Sequence, residues 1–493
     1  MKLRTSADGD AHRGAGLLVC VLSAAAAALA GTGTAIADDG DRRAPIMRPI
    51  PNRTGAAATF SAAGFIDLTN PFFQSLGTNG RSCGSCHVQG EGWTMTPRGV
   101  QARFAATQGT DPIFRTNDGS NSPLADVSTP AARQRAYGML LSKALIRVGI
   151  GIPVDAEFEL TGVDDPYGFA SAKELSLFRR PLPTTNLNFL STVMWDGRET
   201  FKDPNSTDCT FGTTNCFASI HFDLADQSNG ATTGHAQGQP LTQAQREAIV
   251  GFETALFTAQ VVDGDAGRLN ALGARGGPIE ASKQTFYFGI NDTLVGDYRT
   301  HAAFTPTVMT LYDTWNNLVP NPSSTDSEER DRAVAVARRA VARGQALFNS
   351  KPIQISGVKG LNDDLGVAVI PGTCTTCHNA PNAGNHSIPM PLNIGVADAA
   401  RRTPDMPLYT LRNKATGETV QTTDPGRALI TGKWKDIGRF KGPVLRALAT
   451  RAPYFHNGMA ADLDEAVEFY NTRFGIGLMP DEKEDLVLFL RML

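Results

Sequence analysis

The feature that most constrains this chain is a pentapeptide pattern used twice. RSCGSCHVQG, residues 81–90, sets Cys83, Cys86 and His87 in a C-x-x-C-H arrangement, and PGTCTTCHNA repeats it with Cys374, Cys377 and His378. Two thiols one turn apart, followed at once by an imidazole, suit covalent attachment of a c-type haem. The thiols form thioethers to the two vinyl groups while the adjacent imidazole reaches the iron from the same side. A zinc site needs further Cys or His ligands nearby, yet no histidine lies between His87 and His221. A thioredoxin-like motif needs neither the trailing histidine nor a second copy. The spacing predicts two covalently bound haem c groups, with His87 on the first iron and His378 on the second.

The chain has seven cysteines, and the N-terminus accounts for one of them. Lys2, Arg4 and Arg13 precede an apolar run, GLLVCVLSAAAAALAG, and small residues end in Ala35-Ile36-Ala37. That charged, apolar, A-x-A order reads as a secretory signal peptide over 1–37, cleaved near Ala37. It takes Cys20 with it and sends the protein to the periplasm. A membrane anchor is the competing reading, but the run is short for a span of about 20 residues. Cys209 and Cys216, in DCTFGTTNCF, are expected to form a short disulfide in that oxidising compartment. A formal net charge of -3 leaves no basic footprint for nucleic acid, and no later segment predicts membrane insertion.

Along the mature chain, 38–58 reads as an extended, Pro-rich tail and VPNPSSTDSEER (319–330) as a linker or domain edge. Ile249, Phe252 and Leu256 repeat at helix spacing within 242–260, and Val334, Ala337, Val341 and Phe348 do so after the linker. Asp462 with Glu465 three later forms a capping-box pattern, and a last helix follows Pro480. Period-two runs are scarce, so the fold class read here is mostly α with long loops.

The sixth iron ligands decide between electron transfer and reactivity. With no histidine available nearby, the first haem is expected to be open, with Met95 or a more distant group as the alternative. An iron of that kind needs no prior reduction to react.

Three further motifs carry a resemblance: VMWDGRE at 193–199, FKGPVLRALATRAPYFHNG at 440–458, and the helix ending AVEFY at 466–470. Together with the two C-x-x-C-H sites they resemble the bacterial di-haem cytochrome c peroxidases and their MauG-like relatives, over roughly 60–493 with an inserted loop at 200–222. The resemblance implies two cytochrome c-like haem domains facing across an interface. They would be an N-terminal peroxidatic one over 59–322 and a C-terminal electron-transfer one over 323–493. It implies that Trp195 lies between the haems and shares oxidising equivalents; a buried core tryptophan is the plain alternative.

In the peroxidases the position matching Tyr470 is a methionine that binds the C-terminal haem, and in MauG it is a tyrosine. The resemblance therefore implies Tyr470 as the second ligand of the second iron, with Met459, Met479 or Met390 taking over if Tyr470 is a core residue. Gln227 matches the family's distal glutamine. Ala231 stands where proline is expected, and the distal glutamate position falls near His235 or Gln237. His235 is the candidate proton-transfer group, against a surface histidine in a Gly/Thr loop. A calcium ion is also implied, for which Arg451 and Pro453 could offer carbonyls, although FRRPLPTTNLNF lacks the matching asparagine. His456 matches a position near the haems. Arg198 and Arg446 could pair with propionates.

The expectation is an exported di-haem enzyme reducing hydrogen peroxide, with electrons from a small redox protein (cytochrome c or cupredoxin) or from a target protein. A MauG-like modifier or a rubber-oxygenase-like dioxygenase would use the same open haem. A plain electron-transfer cytochrome would have two closed, inert irons.

Overall fold

The computed structural model describes residues 43–200, 202, 216–319 and 326–493. The leader 1–37 with Cys20, most of the loop 200–222 and the centre of the 319–330 linker lie outside the described residues. So does Cys209, and with it the expected Cys209–Cys216 disulfide.

The mostly α expectation is corrected. Helix makes up about 33% and strand 18% of the described residues, and their strands group into several small sheets rather than one large one. The segment 242–260 shows why periodicity misled. Its first part is the helix Gln243–Thr254, started by Thr242, whose hydroxyl accepts from Gln245 N at 3.3 Å while Gln245 Oε1 accepts from Thr242 N at 2.9 Å. The chain then turns into a strand, Leu256–Asp263, rich in β-branched residues at Thr258, Val261 and Val262. Leu256 still reaches the core formed by Ile249, Phe252, Phe72 and Trp93. One apolar spacing thus served two kinds of backbone.

That strand pairs antiparallel with Gly55–Ser61, and the order Ile50–Asn52, Gly55–Ser61, Leu256–Asp263, Gly267–Arg268 makes a four-stranded sheet. Buried Thr59 and Thr258 hydroxyls meet across it at 2.9 Å, and Trp93 Nε1 donates to Thr59 Oγ1 at 2.9 Å. Sheet and first motif are thereby tied through Trp93. A second sheet joins Phe158–Asp164 to Leu408–Asn413 and Thr419–Thr422. Its Phe158, Tyr409 and Leu411 are buried in one core with Leu175 and Leu177 of the neighbouring strand Leu175–Arg179, linking sequence-distant parts of the chain.

Towards the C-terminus, helix Asp326–Ser350 packs on helix Pro480–Arg491, with Val341, Phe348, Leu486 and Phe489 buried against Tyr312 and Trp315. Each such aliphatic or phenyl group contributes about 1.5–3 kcal/mol on burial. Asp462 caps helix Leu463–Phe474, its carboxylate accepting from Glu465 N at 3.0 Å, a contact worth about 1 kcal/mol. Glu465 does not return the bond to Asp462 but accepts from Ala461 N at 2.8 Å. Pro480 opens the last helix in its first turn, where a missing N–H costs nothing. No described helix is long and apolar enough to cross a membrane.

Candidate functional site

Each C-x-x-C-H stretch forms a single capped turn. Cys83–Cys86 is one turn of helix in which Ser82 N donates to Ser85 Oγ at 3.0 Å and His87 N to Cys83 O at 2.9 Å. Cys374–Thr376 is a tighter turn in which Thr373 N donates to Thr376 Oγ1 at 3.0 Å and His378 N to Cys374 O at 3.1 Å. In both, the turn brings the two thiols and the following imidazole to one cavity.

The histidines are oriented from behind. His87 Nδ1 lies 3.2 Å from the Trp93 carbonyl, and His378 Nδ1 lies 2.6 Å from the Gly384 carbonyl. A carbonyl on Nδ1 fixes the tautomer that leaves Nε2 free to bind a metal. Burial pulls the His87 imidazole down to about 4 and the His378 imidazole in the same direction. Burial likewise pushes the thiols of Cys83, Cys374 and Cys377 up to about 12, and that of Cys86 upward. None of the four is in a disulfide. Redox-active C-x-x-C thiols are held as thiolates, so these sites are built for the opposite state.

The first cavity is lined by Cys83, Cys86, His87, Gln227 and His235. The second is lined by Cys374, Cys377, His378 and Tyr470. Trp195 lines both. Its indole Nε1 donates to Arg180 O at 2.8 Å, and its carbonyl accepts from Lys441 N at 2.9 Å. On the side of the second cavity its ring meets His456 edge-on at 6.3 Å between centroids, and His456 stacks on Phe440 at 3.9 Å.

The rest of W-D-G-R is structural support. Asp196 is fully buried and accepts from Arg179 Nη1 at 2.5 Å and Arg198 Nη1 at 3.0 Å. Arg179 in turn holds Asp424 at 2.7 Å. Gly197 sits at φ +71°, and a Cβ there would lie 2.8 Å from Arg427 Nη1. The motif is thus an anchored turn that holds the tryptophan in the wall.

The segment 440–446 is a partition with two faces. Lys441, Val444 and Arg446 face the first cavity, whereas Phe440, Gly442 and Leu445 face the second; Pro443 touches both. Charge follows the same division. Arg180, Lys441, Arg446 and Arg451 all line the first cavity, the first three buried and Arg451 partly so, and make ion pairs with no carboxylate among the described residues. Their contacts are carbonyls: Lys441 Nζ to Thr192 O at 2.8 Å, Arg180 to Lys143 O and Met95 O at 2.8 Å, Arg451 to Val444 O. Burial, and then the charge of Arg451, pulls Lys441 down to about 7 and Arg180 down to about 10, and burial pulls Arg451 itself down to about 10. The Nε atoms of Arg446 and Arg451 have no partner. Four cations in that condition call for anionic carboxylates from a bound group, and haem propionates are such a group. The donor set, thiol pairs, oriented imidazoles and unpaired cations fits haem c.

The sequence candidates divide as follows. Of the two arginines, Arg198 is engaged by Asp196 while Arg446 has no carboxylate. Tyr470, on helix Leu463–Phe474, reaches the second cavity with no hydrogen bond on its hydroxyl among the described residues. Burial and then the Cys377 and Cys374 thiols push that phenol upward. Of its rivals, Met390 lines the same cavity, whereas Met459 does not and Met479 is 61% exposed. The Arg451 carbonyl, offered for calcium, accepts from Arg180 Nη2 at 3.2 Å.

His235 belongs to a three-residue unit with Asp118 and Arg81. Its Nδ1 lies 2.6 Å from Asp118 Oδ2, Asp118 Oδ1 pairs with Arg81, and Arg81 Nη1 donates to the His235 carbonyl at 3.2 Å. His235 and Arg81 hold the Asp118 carboxyl below its usual range against the opposing effect of burial. Asp118, Arg81, Arg180, Lys441 and Glu253, which also lines this cavity, went unnoticed in the sequence. Only Arg81, abutting the first motif, and Lys441, inside F-K-G-P, carried a local signal.

No family model matches the chain. A stretch of 136 residues is 36% identical to a cytochrome-c peroxidase of Denitromonas iodatirespirans, covering 25% of this chain and 36% of that protein. Another of 171 residues is 29% identical to a cytochrome-c peroxidase of Pseudomonas sp. strain SCT, covering 31% and 39%. A cytochrome c551 peroxidase of Pseudomonas aeruginosa is 29% identical over 146 residues, covering 29% and 36%. The chain spans under two fifths of the length of each of these relatives. Among solved structures, a MauG-like protein associated with microbial copper homeostasis aligns over 92% of this chain and 94% of its own at 15% identity. Its TM-score of 0.34 is too low to carry an argument.

Proposed function

We propose, from its similarity to bacterial cytochrome c peroxidases, that the chain is an exported, periplasmic di-haem enzyme that reduces hydrogen peroxide in its first cavity. The observation that carries the reading is the pair of cavities, each with two thiols and one oriented imidazole, sharing Trp195 as a wall. Bound haem supplies the iron that exchanges electrons with peroxide and with a donor. Everything else is the work of side chains.

Cys83 and Cys86 tether the first group and Cys374 and Cys377 the second. His87 and His378 present Nε2 to the metal, held by the Trp93 and Gly384 carbonyls. Arg180, Lys441, Arg446 and Arg451 would hold carboxylates of the group bound in the first cavity. Reduction of H2O2 to two waters consumes two electrons and two protons. His235, steadied by Asp118, moves a proton at Nε2 between the inner and outer peroxide oxygens, and Gln227 orients the peroxide. Trp195 carries oxidising equivalents between the cavities, and a small redox protein supplies the electrons.

A second reading has one specific support. The unbonded phenol of Tyr470 in the second cavity suits an anionic oxygen ligand, which favours ferric and higher-valent iron. That favours a MauG-like protein-modifying oxidase, with a target side chain as electron source.

Low-temperature EPR of the haem-loaded ferric protein, before and after one equivalent of hydrogen peroxide, tests the reading. One high-spin and one low-spin signal that both fade supports it. Two low-spin signals that ignore peroxide leave an electron carrier.

A further inference from the structure

One carboxyl group in the first cavity has no part in the scheme above. Glu253 lies near the end of helix Gln243–Thr254, is 4% exposed, and lines the cavity close enough to Cys83 to act on its thiol. Among the described residues its carboxyl has no hydrogen bond and no ion pair, and burial alone pushes it up, to about 8. A charged carboxylate is costly in such a place, so this carboxyl keeps its proton up to about pH 8 and offers a carboxylate only near and above that pH.

The surroundings leave it unopposed. The short helix Cys83–Cys86 faces it with Cys83, a thiol consumed on haem attachment. The turns Pro71–Phe73 and Leu187–Phe189, which also pack on its helix, carry no ionisable side chain. Helix Cys216–Gly234 brings His221, Asp223 and Asp226; His221 is bonded to Glu247 at 2.6 Å, and Asp223 accepts from Lys202 N at 2.7 Å. Strand Leu256–Asp263 brings Asp263, engaged by Arg491 at 3.0 Å. Across the cavity, Lys441 is bonded to Thr192 O, His235 and Arg81 to Asp118, and Arg180, Arg446 and Arg451 to backbone carbonyls.

We propose that Glu253 is the proton store of this cavity: it takes one proton from solvent when one electron enters the bound redox group and returns it when the electron leaves. The electron comes from a one-electron carrier protein and the proton from bulk water, so carboxylate becomes carboxylic acid as the neighbouring group gains one negative charge. The driving force is Coulombic. Negative charge arriving in the cavity raises the proton affinity of a buried carboxylate that lines it. This rests on the haem reading of the cavity and not on peroxide as substrate.

The test is a spectroelectrochemical titration of the haem-loaded full chain from pH 6 to 10, with the second cavity as internal control. In the native protein the first centre's midpoint potential should be flat below about pH 8 and fall by up to about 59 mV per pH unit from about pH 8 upward, the one-electron equivalent of tenfold. In E253Q that slope should vanish while the second centre is unchanged, and E253D should keep it. A slope in E253Q equal to the native one overturns the proposal and passes the role to Lys441 or His235. If E253Q does not load haem, redox-difference infrared spectroscopy of native and E253D proteins decides. A protonated-carboxyl band that grows on reduction and shifts in E253D supports Glu253, and its absence overturns it. Absence of any redox signal from the first cavity defeats the haem reading itself, and the proposal with it.

Discussion

Asp118 and His235 form a hydrogen-bonded pair, Oδ2 to Nδ1 at 2.6 Å, although 117 residues separate them in the chain. Arg81 closes the unit by pairing with the carboxylate and donating to the histidine's own carbonyl. The imidazole is therefore held from two directions, with its other nitrogen available to the cavity. Replacing Asp118 by Asn keeps the shape but frees the tautomer. Peroxide turnover should fall at least about tenfold in D118N, and in H235A it should enter the roughly 10²–10⁴-fold range of general acid–base catalysis. Stopped-flow rates against pH check this. A D118N profile parallel to the native one would reduce the pair to a structural role.

Trp195 gives a test of communication. W195F removes one hydrogen bond, from Nε1 to Arg180 O at 2.8 Å, a loss of about 1 kcal/mol. Folding and haem loading should survive. Peroxide added to W195F should still change the first centre's EPR signal while the second centre's signal persists.

Tyr470 and Met390 both line the second cavity and are rival candidates for the iron there. Y470F should convert the second centre's low-spin EPR signal to high-spin, and M390A should leave it unchanged. The reverse pattern would assign the iron to the methionine and weaken the MauG-like reading.

Stability should respond to acid through Asp196 and Asp118. Both carboxyls are held below the ordinary value of 3.8, chiefly by Arg179 for Asp196 and by His235 with Arg81 for Asp118, each against the effect of burial. Groups shifted downward on folding contribute stability that is full above the unfolded-state value, about 3.9, and lost as pH falls through the folded value. Urea midpoints should hold from pH 7 to about 5 and drop below about 4. D196N should cost about 3–5 kcal/mol at pH 7 by leaving Arg179 and Arg198 short of a buried partner, and should lose less on acidification than the native protein.

The sequence made legible what is local. A C-x-x-C-H pentapeptide carries its own turn, caps and trailing imidazole, so Cys83 to His87 and Cys374 to His378 could be read directly. The cap at Asp462 and the proline start at Pro480 are equally self-contained. What escaped depends on distant chain. Nothing near Glu253 signals a cavity, since its helix reads as an ordinary amphipathic one. Asp118 gains its meaning only from Arg81 and His235. The strand Leu256–Asp263 was hidden because Leu256 fits the preceding helix's spacing, and its pairing partner, Gly55–Ser61, lies some 200 residues earlier. Short strands whose neighbours are remote leave little trace of period two.

The partition 440–446 has a consequence for what evolution or an engineer can do to it. Its side chains alternate between a cationic chamber and an apolar one, so its length is under tighter constraint than its composition. Val444 or Leu445 can be exchanged for another aliphatic residue at modest cost. Inserting or deleting a single residue would transpose the frame, swinging Arg446 towards Tyr470 and a leucine towards Glu253. Both chambers would fail together.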